Sequence, residues 1–407
     1  MKHFWRCRLA GFHRPGGGCS SPWPLREPSR FGFMKWTLIF LGGCMAALLA
    51  FGIVMLFSAK MGPTGEKFLI QQSIWCGIGL VVFVVVALID YRALRPFTWF
   101  LLVLSMVLLA LVLVPGIGIK VNGAKRWLGY GPVRIQPSEM AKLALILVLA
   151  HYAALNRRRM RTVLWGLLMP LLILGSVLAL VFKEPDWGTT FLLVGVSMAM
   201  LAVAGARLVY LVPLVPVGIV IVYFMVLHDP VRLARIKAYL DQEGSKQGTG
   251  YQAYQAKIAL GAGGWDGLGL GNGRQKMGFI PEHHTDFILS VIGEEVGLIA
   301  TLGIVVIFSV MVVCGARIAW NAPDCFGFLL AAGLTFMIGF QAFINIGVVT
   351  SVLPNKGMGL PFISYGGSNL LLMMTAIGLL FSIGRRSGEG ESESEEFGEP
   401  ASATVPF

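Results

Sequence analysis

The stretch "DFILSVIGEEVGLIATLGIVVIFSVMVVCG", Asp286 to Gly315, decides the fold class. From Phe287 onward it exceeds the roughly 20 mostly apolar residues that a helix needs to cross a bilayer. It follows a polar loop, "PEHHT", Pro281 to Thr285. Yet Asp286 stands at the junction, and Glu294 and Glu295 lie inside the apolar run. Carboxylates are costly in hydrocarbon and face a bundle interior or a polar cavity. The stretch therefore predicts both a membrane helix and a polar site beside it.

The whole chain agrees. Of 407 residues 56% are hydrophobic and only 13% charged, about half the charge of an ordinary soluble domain. Mean hydropathy is +0.74. About ten apolar runs are long enough to span, near 37–58, 70–89, 97–117, 138–155, 162–182, 188–205, 208–227, 287–315, 325–349 and 368–384. No short alternating segments suggest a barrel. The expectation is an all-α integral membrane protein with about ten transmembrane helices. In such a chain the net charge of +12 is no nucleic-acid footprint, and no nucleic-acid partner is expected.

Arginine placement orients the helices. Arg92, Arg95, Arg157 to Arg159, Arg161, Arg207, Arg317, Arg385 and Arg386 fall in one set of short loops. The other set holds only Lys60, Lys67, Lys183 and Lys356. The positive-inside rule then puts both termini in the cytoplasm. Gly118 to Pro137, the large loop between helices 7 and 8, and "TSVLPNKGMGLPFISYGGSN" (Thr350 to Asn369) face outward. Nearly all unusual polar residues lie on that side, so any chemistry is expected there.

The tails fall outside this pattern. Residues 1–36 read as a disordered basic cytoplasmic tail and 386–407 as a disordered acidic one. Residues 37–385 form the membrane domain. "MKWTLIF" at Met34 also resembles a chain start, so Met1 and Met34 both stand as candidate starts, and no cleaved signal peptide is expected. Cys7, Cys19, Cys44, Cys76, Cys314 and Cys325 form neither a disulfide framework nor a metal spacing.

Five segments carry candidate chemistry. Asp286 opens the eighth span at the outer surface, and at 100° per residue Ser290, Gly293 and Gly297 share its face. It reads as a general base or as a helix-dipole carboxylate. Glu294, about 12 Å deeper, and Glu295 read as structural, paired with a buried cation or water. "KVNGAKRWLGYGPVRIQPSEMAK" places Lys125, Arg126, Arg134 and Lys142 outside without a balancing acidic run. These cations suit an anionic headgroup such as a diphosphate; the alternative is bulk anionic lipid. Pro137 fits the first helical position, and Glu139 can pair with Lys142 at i,i+3. In "FKEPDWGTT" Asp186 reads as the cap of the next helix. "DPVRLARIKAYLDQEG" reads as an interfacial amphipathic helix, with Val231, Ala234, Ile236 and Leu240 opposite Arg232, Arg235 and Tyr239. The glycine-rich stretch after it follows no strand and is no nucleotide loop. "LPNKGMGLPFISYGGSN" reads as a loop dipping into the outer cleft. In it Lys356 and Ser364 are structural, since no histidine is placed to activate the serine.

The motifs "NGAKRWL", "QPSEMAK", "EPDWGTT", "GGWDGLGLGNGRQK", "PEHHTDFILSVIGEEVG" and "LPNKGMGLPFISYGGSN" together resemble the SEDS family (shape, elongation, division and sporulation) over residues 37–385. "GLGNGRQK" and "NKG" look closer to the division-type FtsW members than to the elongation-type RodA members. "EPDWGT" departs from a usual leading Gln, and "GGSN" from a common second Ser.

The resemblance implies a ten-helix peptidoglycan glycosyltransferase in the bacterial cytoplasmic membrane. It would polymerise lipid II, an undecaprenyl-diphosphate-linked disaccharide-pentapeptide, at the outer face. It implies Asp286 as the catalytic base; the residues themselves offer Lys125, Arg126 and Lys142 for the diphosphate, with Glu139, Asp186, Glu294, Glu295, Lys356 and Ser364 in support. It also implies a class B penicillin-binding protein and division proteins as partners, beside membrane lipids. No covalent cofactor and no metal cage are read; a divalent cation, Mg or Mn, would assist at most. The competing readings are a lipid II flippase, an elongation-type polymerase, and a division scaffold without chemistry.

Overall fold

The computed structural model describes residues 29–59, 65–121, 124–130, 133–241, 244, 248, 250–274 and 285–396. Its helices are α1 Ser29–Ala59, α2 Gly65–Leu88, α3 Thr98–Leu113, α4 Pro137–Leu155, α5 Leu164–Lys183, α6 Trp187–Val203, α7 Leu208–Leu227, α8 Pro230–Leu240, α9 Tyr251–Gly263, α10 Ile288–Asn321, α11 Cys325–Val349 and α12 Gly367–Glu396. Eight of them are long and apolar enough to cross a membrane: α1, α2, α4, α5, α7, α10, α11 and α12. The shorter apolar helices α3 and α6 complete the set of ten expected runs. Helices α8 and α9 lie in the long loop before α10.

Helices α4, α11 and α12 form the centre and are mostly buried, as expected for helices apolar all round. Helix α12 packs on α2, α10 on α1, α9 and α11, and α4 on α3 and α11. Small residues set the close approaches. A Cβ on Gly79 would strike Met374 Sδ at 2.3 Å, and one on Gly378 would sit 2.9 Å from the Phe83 carbonyl. By contrast, Leu214–Leu227 of α7 buries none of its residues.

The arginine end of the bundle is clamped by Asp324. Its carboxylate accepts from Arg95 Nη2 (2.5 Å), Tyr91 Oη (3.1 Å) and the Gly327 N–H (2.6 Å), capping α11. Arg386 pairs with Asp90 at 3.5 Å.

Two expectations change. Residues 119–135 are not plain loop but a three-stranded antiparallel sheet: β1 Ile119–Val121, β2 Ala124–Tyr130 and β3 Val133–Ile135, in that order. Helix α1 begins directly after Pro28, and α12 runs to Glu396, so both tail boundaries fall inside helices. No proline interrupts α12 before Pro400, and its Glu and Arg residues favour helix. Residues 1–28 and 397–407 lie outside the described residues. In α8, Ala234 and Ile236 are half-buried and Arg235 is exposed. Leu240 is 77% exposed, while Tyr239 Oη donates to the Val352 carbonyl (2.8 Å) and the Arg232 guanidinium lies 4.2 Å from the Trp187 ring centroid.

Candidate active site

Helix α10 has 34 residues and would be about 51 Å long if straight, far more than a bilayer needs. It breaks at Gly297, whose φ is 83° and ψ −172°. A break at membrane depth frees backbone groups that must find partners. The glycine-rich segment supplies them by an exchange. Leu298 and Ile299, cut off from the carbonyls of Glu294 and Glu295, donate to the carbonyls of Gly264 (2.9 Å) and Trp265 (3.4 Å). The orphaned carbonyls of Glu294 and Glu295 accept from Leu268 and Gly269, both at 2.9 Å.

The two glutamate side chains finish the joint. Glu294 Oε1 accepts the Arg274 N–H (2.8 Å) and Glu295 Oε1 the Gly273 N–H (3.3 Å). Ser58 Oγ donates to Glu295 Oε2 and accepts the Gly271 N–H. Both carboxylates thus hold backbone amides of the glycine-rich segment, and Glu295 also holds the Ser58 hydroxyl.

Asp286 sits two residues before α10, in the turn Thr285–Phe287. It is not helical, so it shares no helix face with Ser290. Two donors hold the turn: Ser364 Oγ to the Thr285 carbonyl (2.6 Å) and Asn345 Nδ2 to the Asp286 carbonyl (2.8 Å). The side chain is half-buried, and a Cβ on Gly357 would sit 3.0 Å from its Oδ2. Gly357 thus lets the 354–361 loop close against the carboxylate. That loop is buried at Met358 and Leu360, and the chain stays buried at Phe362 and Ile363 beyond it, so it dips into the bundle. Ser364 also accepts the Leu360 N–H (2.7 Å), a structural role.

The "EPDWGTT" turn meets the same loop, since a Cβ on Gly188 would lie 3.2 Å from the Gly357 carbonyl. Asp186 caps α6 through the Thr189 N–H (3.1 Å) and also accepts from Gln136 Nε2 (3.2 Å). Arg126 reaches over from β2 and donates to the carbonyls of Glu184 (3.0 Å) and Pro185 (2.5 Å). It is a strap on the turn as well as a cation. The neighbouring Glu184 carboxyl is buried without a hydrogen-bond partner among the described residues. Burial, reinforced by Asp186 and opposed by Arg126, pushes it up to about 8.

Lys142 is placed differently from the expectation. It is 1% exposed, ion-paired with Glu139 at 2.7 Å and bonded to Gln341 Oε1 at 3.1 Å. Its position in α4 points the side chain into the bundle, where its charge is already used. Removing one member of such a pair strands the other. Lys142→Met should therefore lose about 3–5 kcal/mol, read as a lowered unfolding midpoint in detergent, and adding Glu139→Gln should restore most of it.

Two other cations remain available. Lys125 is half-buried and stands opposite Lys120 in the β1–β2 register, a like-charge pair that a bound anion would relieve. Lys356 lies 3.2 Å from the Phe191 ring centroid and has no carboxylate partner among the described residues. Desolvation alone lowers its ammonium to about 8. Sequence reasoning treated Lys356 as mere support; nothing local revealed that α6 would offer it an aromatic ring in place of a counter-charge. Among the described residues no three His, Cys, Asp or Glu side chains converge as a metal site.

These features define a helical multi-pass membrane protein with a polar site folded into one end of its bundle. The chain belongs to the FtsW/RodA/SpoVE family, whose model, described as cell cycle protein, matches residues 37–389. It is 42% identical to the probable peptidoglycan glycosyltransferase FtsW of Trichlorobacter lovleyi, over 88% of this chain and 95% of that protein. It is 39% identical to the stage V sporulation protein E of Bacillus subtilis, over 84% and 94%. Its fold resembles a chain of a peptidoglycan synthase complex that coordinates polymerization and crosslinking, with TM-score 0.74, 30% identity and coverage of 86% and 98%. It also resembles Thermus thermophilus RodA, with TM-score 0.64, 28% identity and coverage of 86% and 96%. The protein is therefore a multi-pass protein of the bacterial cytoplasmic membrane.

Proposed function

We propose that this chain is a peptidoglycan glycosyltransferase that polymerises lipid II at the outer face of the membrane, in septal wall synthesis. The observation that carries the reading is the junction of three motifs at one end of the bundle. There the half-buried Asp286 carboxylate lies against Gly357, which in turn lies against Gly188. The donor would be a growing strand whose anomeric carbon bears an undecaprenyl diphosphate. The incoming sugar hydroxyl attacks that carbon, forming a new C–O bond with inversion. The old C–O bond breaks, and its electron pair leaves on the diphosphate. Asp286 takes the hydroxyl proton. A diphosphate leaves without protonation, so one carboxylate suffices where a glycosidase needs two.

Lys125, Arg126 and Lys356 would offset the charge gathering on the diphosphate, with Lys142 keeping the framework beneath. A class B penicillin-binding protein is the proposed partner, since the synthase complex that this chain resembles joins polymerization to crosslinking.

Lys356 gives this reading a pH dependence. Its ammonium is charged below about 8 and loses its proton as pH rises through that value. The KM for lipid II should therefore climb on the alkaline side of pH 8, and Lys356→Arg should flatten the climb. The proposal is tested with purified protein and labelled lipid II, with and without the partner, by resolving the products on a gel. Glycan strands support it. Their absence in both arms, together with lipid II translocation in liposomes, would favour the flippase.

A further inference from the structure

Asn345, near the site end of α11, makes two bonds that nothing in the proposed chemistry explains. It is 1% exposed. Its Nδ2 donates to the Asp286 carbonyl (2.8 Å) and to the Met358 carbonyl (2.7 Å). Both targets are acceptors, so the amide orientation is forced, and Oδ1 stays buried without a partner. A buried unpartnered acceptor is costly, and an apolar side chain would avoid it.

The two carbonyls belong to the two segments that meet at the site. One carries Asp286; the other is next to Gly357, which touches the Asp286 carboxylate. We propose that Asn345 is a positioning residue that sets Asp286 relative to the 357–359 segment by holding one backbone carbonyl of each. This inference rests on the reading of Asp286 as the base.

Each segment has another anchor. Ser364 holds Thr285, and Gln341, one turn below Asn345, donates to the Gly359 carbonyl (3.1 Å). The Glu139–Lys142 pair supports Gln341 in turn. Losing Asn345 should therefore leave the fold and the lipid contacts standing but loosen the carboxylate. A displacement near 1 Å costs about 10²-fold in rate.

The test compares Asn345→Leu, which cannot donate, with Asn345→Asp, which donates one hydrogen only when protonated. Two facing carbonyls favour that protonated form. The other titratable groups around the position are Asp286, Lys356 and the Glu139–Lys142 pair. All are present in every variant, so ratios to wild type remove the part of their titration that is not coupled to position 345.

On full-length protein with its partner and lipid II, Asn345→Leu is expected to lower kcat about 100-fold with KM within about threefold. The activity of Asn345→Asp relative to wild type should rise as pH falls, a signature a purely structural residue would not give. If Asn345→Leu does not insert, Asn345→Asp alone decides. A kcat near wild type in inserted Asn345→Leu, a loss confined to KM, or a pH-independent Asn345→Asp ratio would overturn the proposal. Wild type inactive under all conditions would instead overturn the glycosyltransferase reading.

Discussion

Gly297→Val should leave almost no correctly inserted protein. The backbone at Gly297 has φ 83° and ψ −172°, a region open essentially to glycine alone, where another residue carries about 1–3 kcal/mol of strain. Space is the larger difficulty. A Cβ there would lie 2.3 Å from the Trp265 carbonyl oxygen and 2.5 Å from the Gly267 nitrogen. Those atoms are backbone and cannot step aside as a flexible side chain would. Pushing them away breaks the exchange that joins Gly264 and Trp265 to Leu298 and Ile299. Each broken bond then exposes a polar group to hydrocarbon. The check is monodisperse yield in detergent, set against Gly303→Val. Gly303 has open space where its Cβ would go and should tolerate the change.

Asp286→Asn should be inserted and stable yet lose about 10²–10⁴-fold in kcat. The turn is held through backbone carbonyls by Ser364 and Asn345, so the side chain can change without releasing it. Asparagine keeps the shape and the close fit to Gly357 but cannot take a proton. The diphosphate contacts come from other residues, so KM should stay within a fewfold. Steady-state strand synthesis over a range of lipid II concentrations separates the two constants. A large rise in KM at unchanged kcat would recast Asp286 as a binding group.

Much of this molecule was legible in its sequence, because hydrocarbon imposes a simple rule. Each of the ten apolar runs became a helix, since no other open structure satisfies the backbone in lipid. Local capping was legible too: Asp186, Pro137 and the Glu139–Lys142 pair act within a turn or two of themselves. What escaped depends on contacts distant in sequence. The depth of Lys142 follows from the packing of α4 on α11. The partners of Glu294 and Glu295 come from a glycine loop some twenty residues earlier. Asn345 sits in an apolar helix and reaches Asp286 across 59 positions. The small sheet was readable, since Asn122–Gly123 between β1 and β2 is a strong hairpin signal. Two of its strands, β1 and β3, have three residues each, too few for alternation to stand out.

The central claim is that Asp286 performs chemistry and does not merely shape the site. The most direct measurement follows strand synthesis and lipid II retention in one preparation of membrane-inserted Asp286→Ala, beside wild type and with the partner present. The variant is expected to hold lipid II as tightly as wild type and to form no glycan strands. Strands made at the wild-type rate would contradict it.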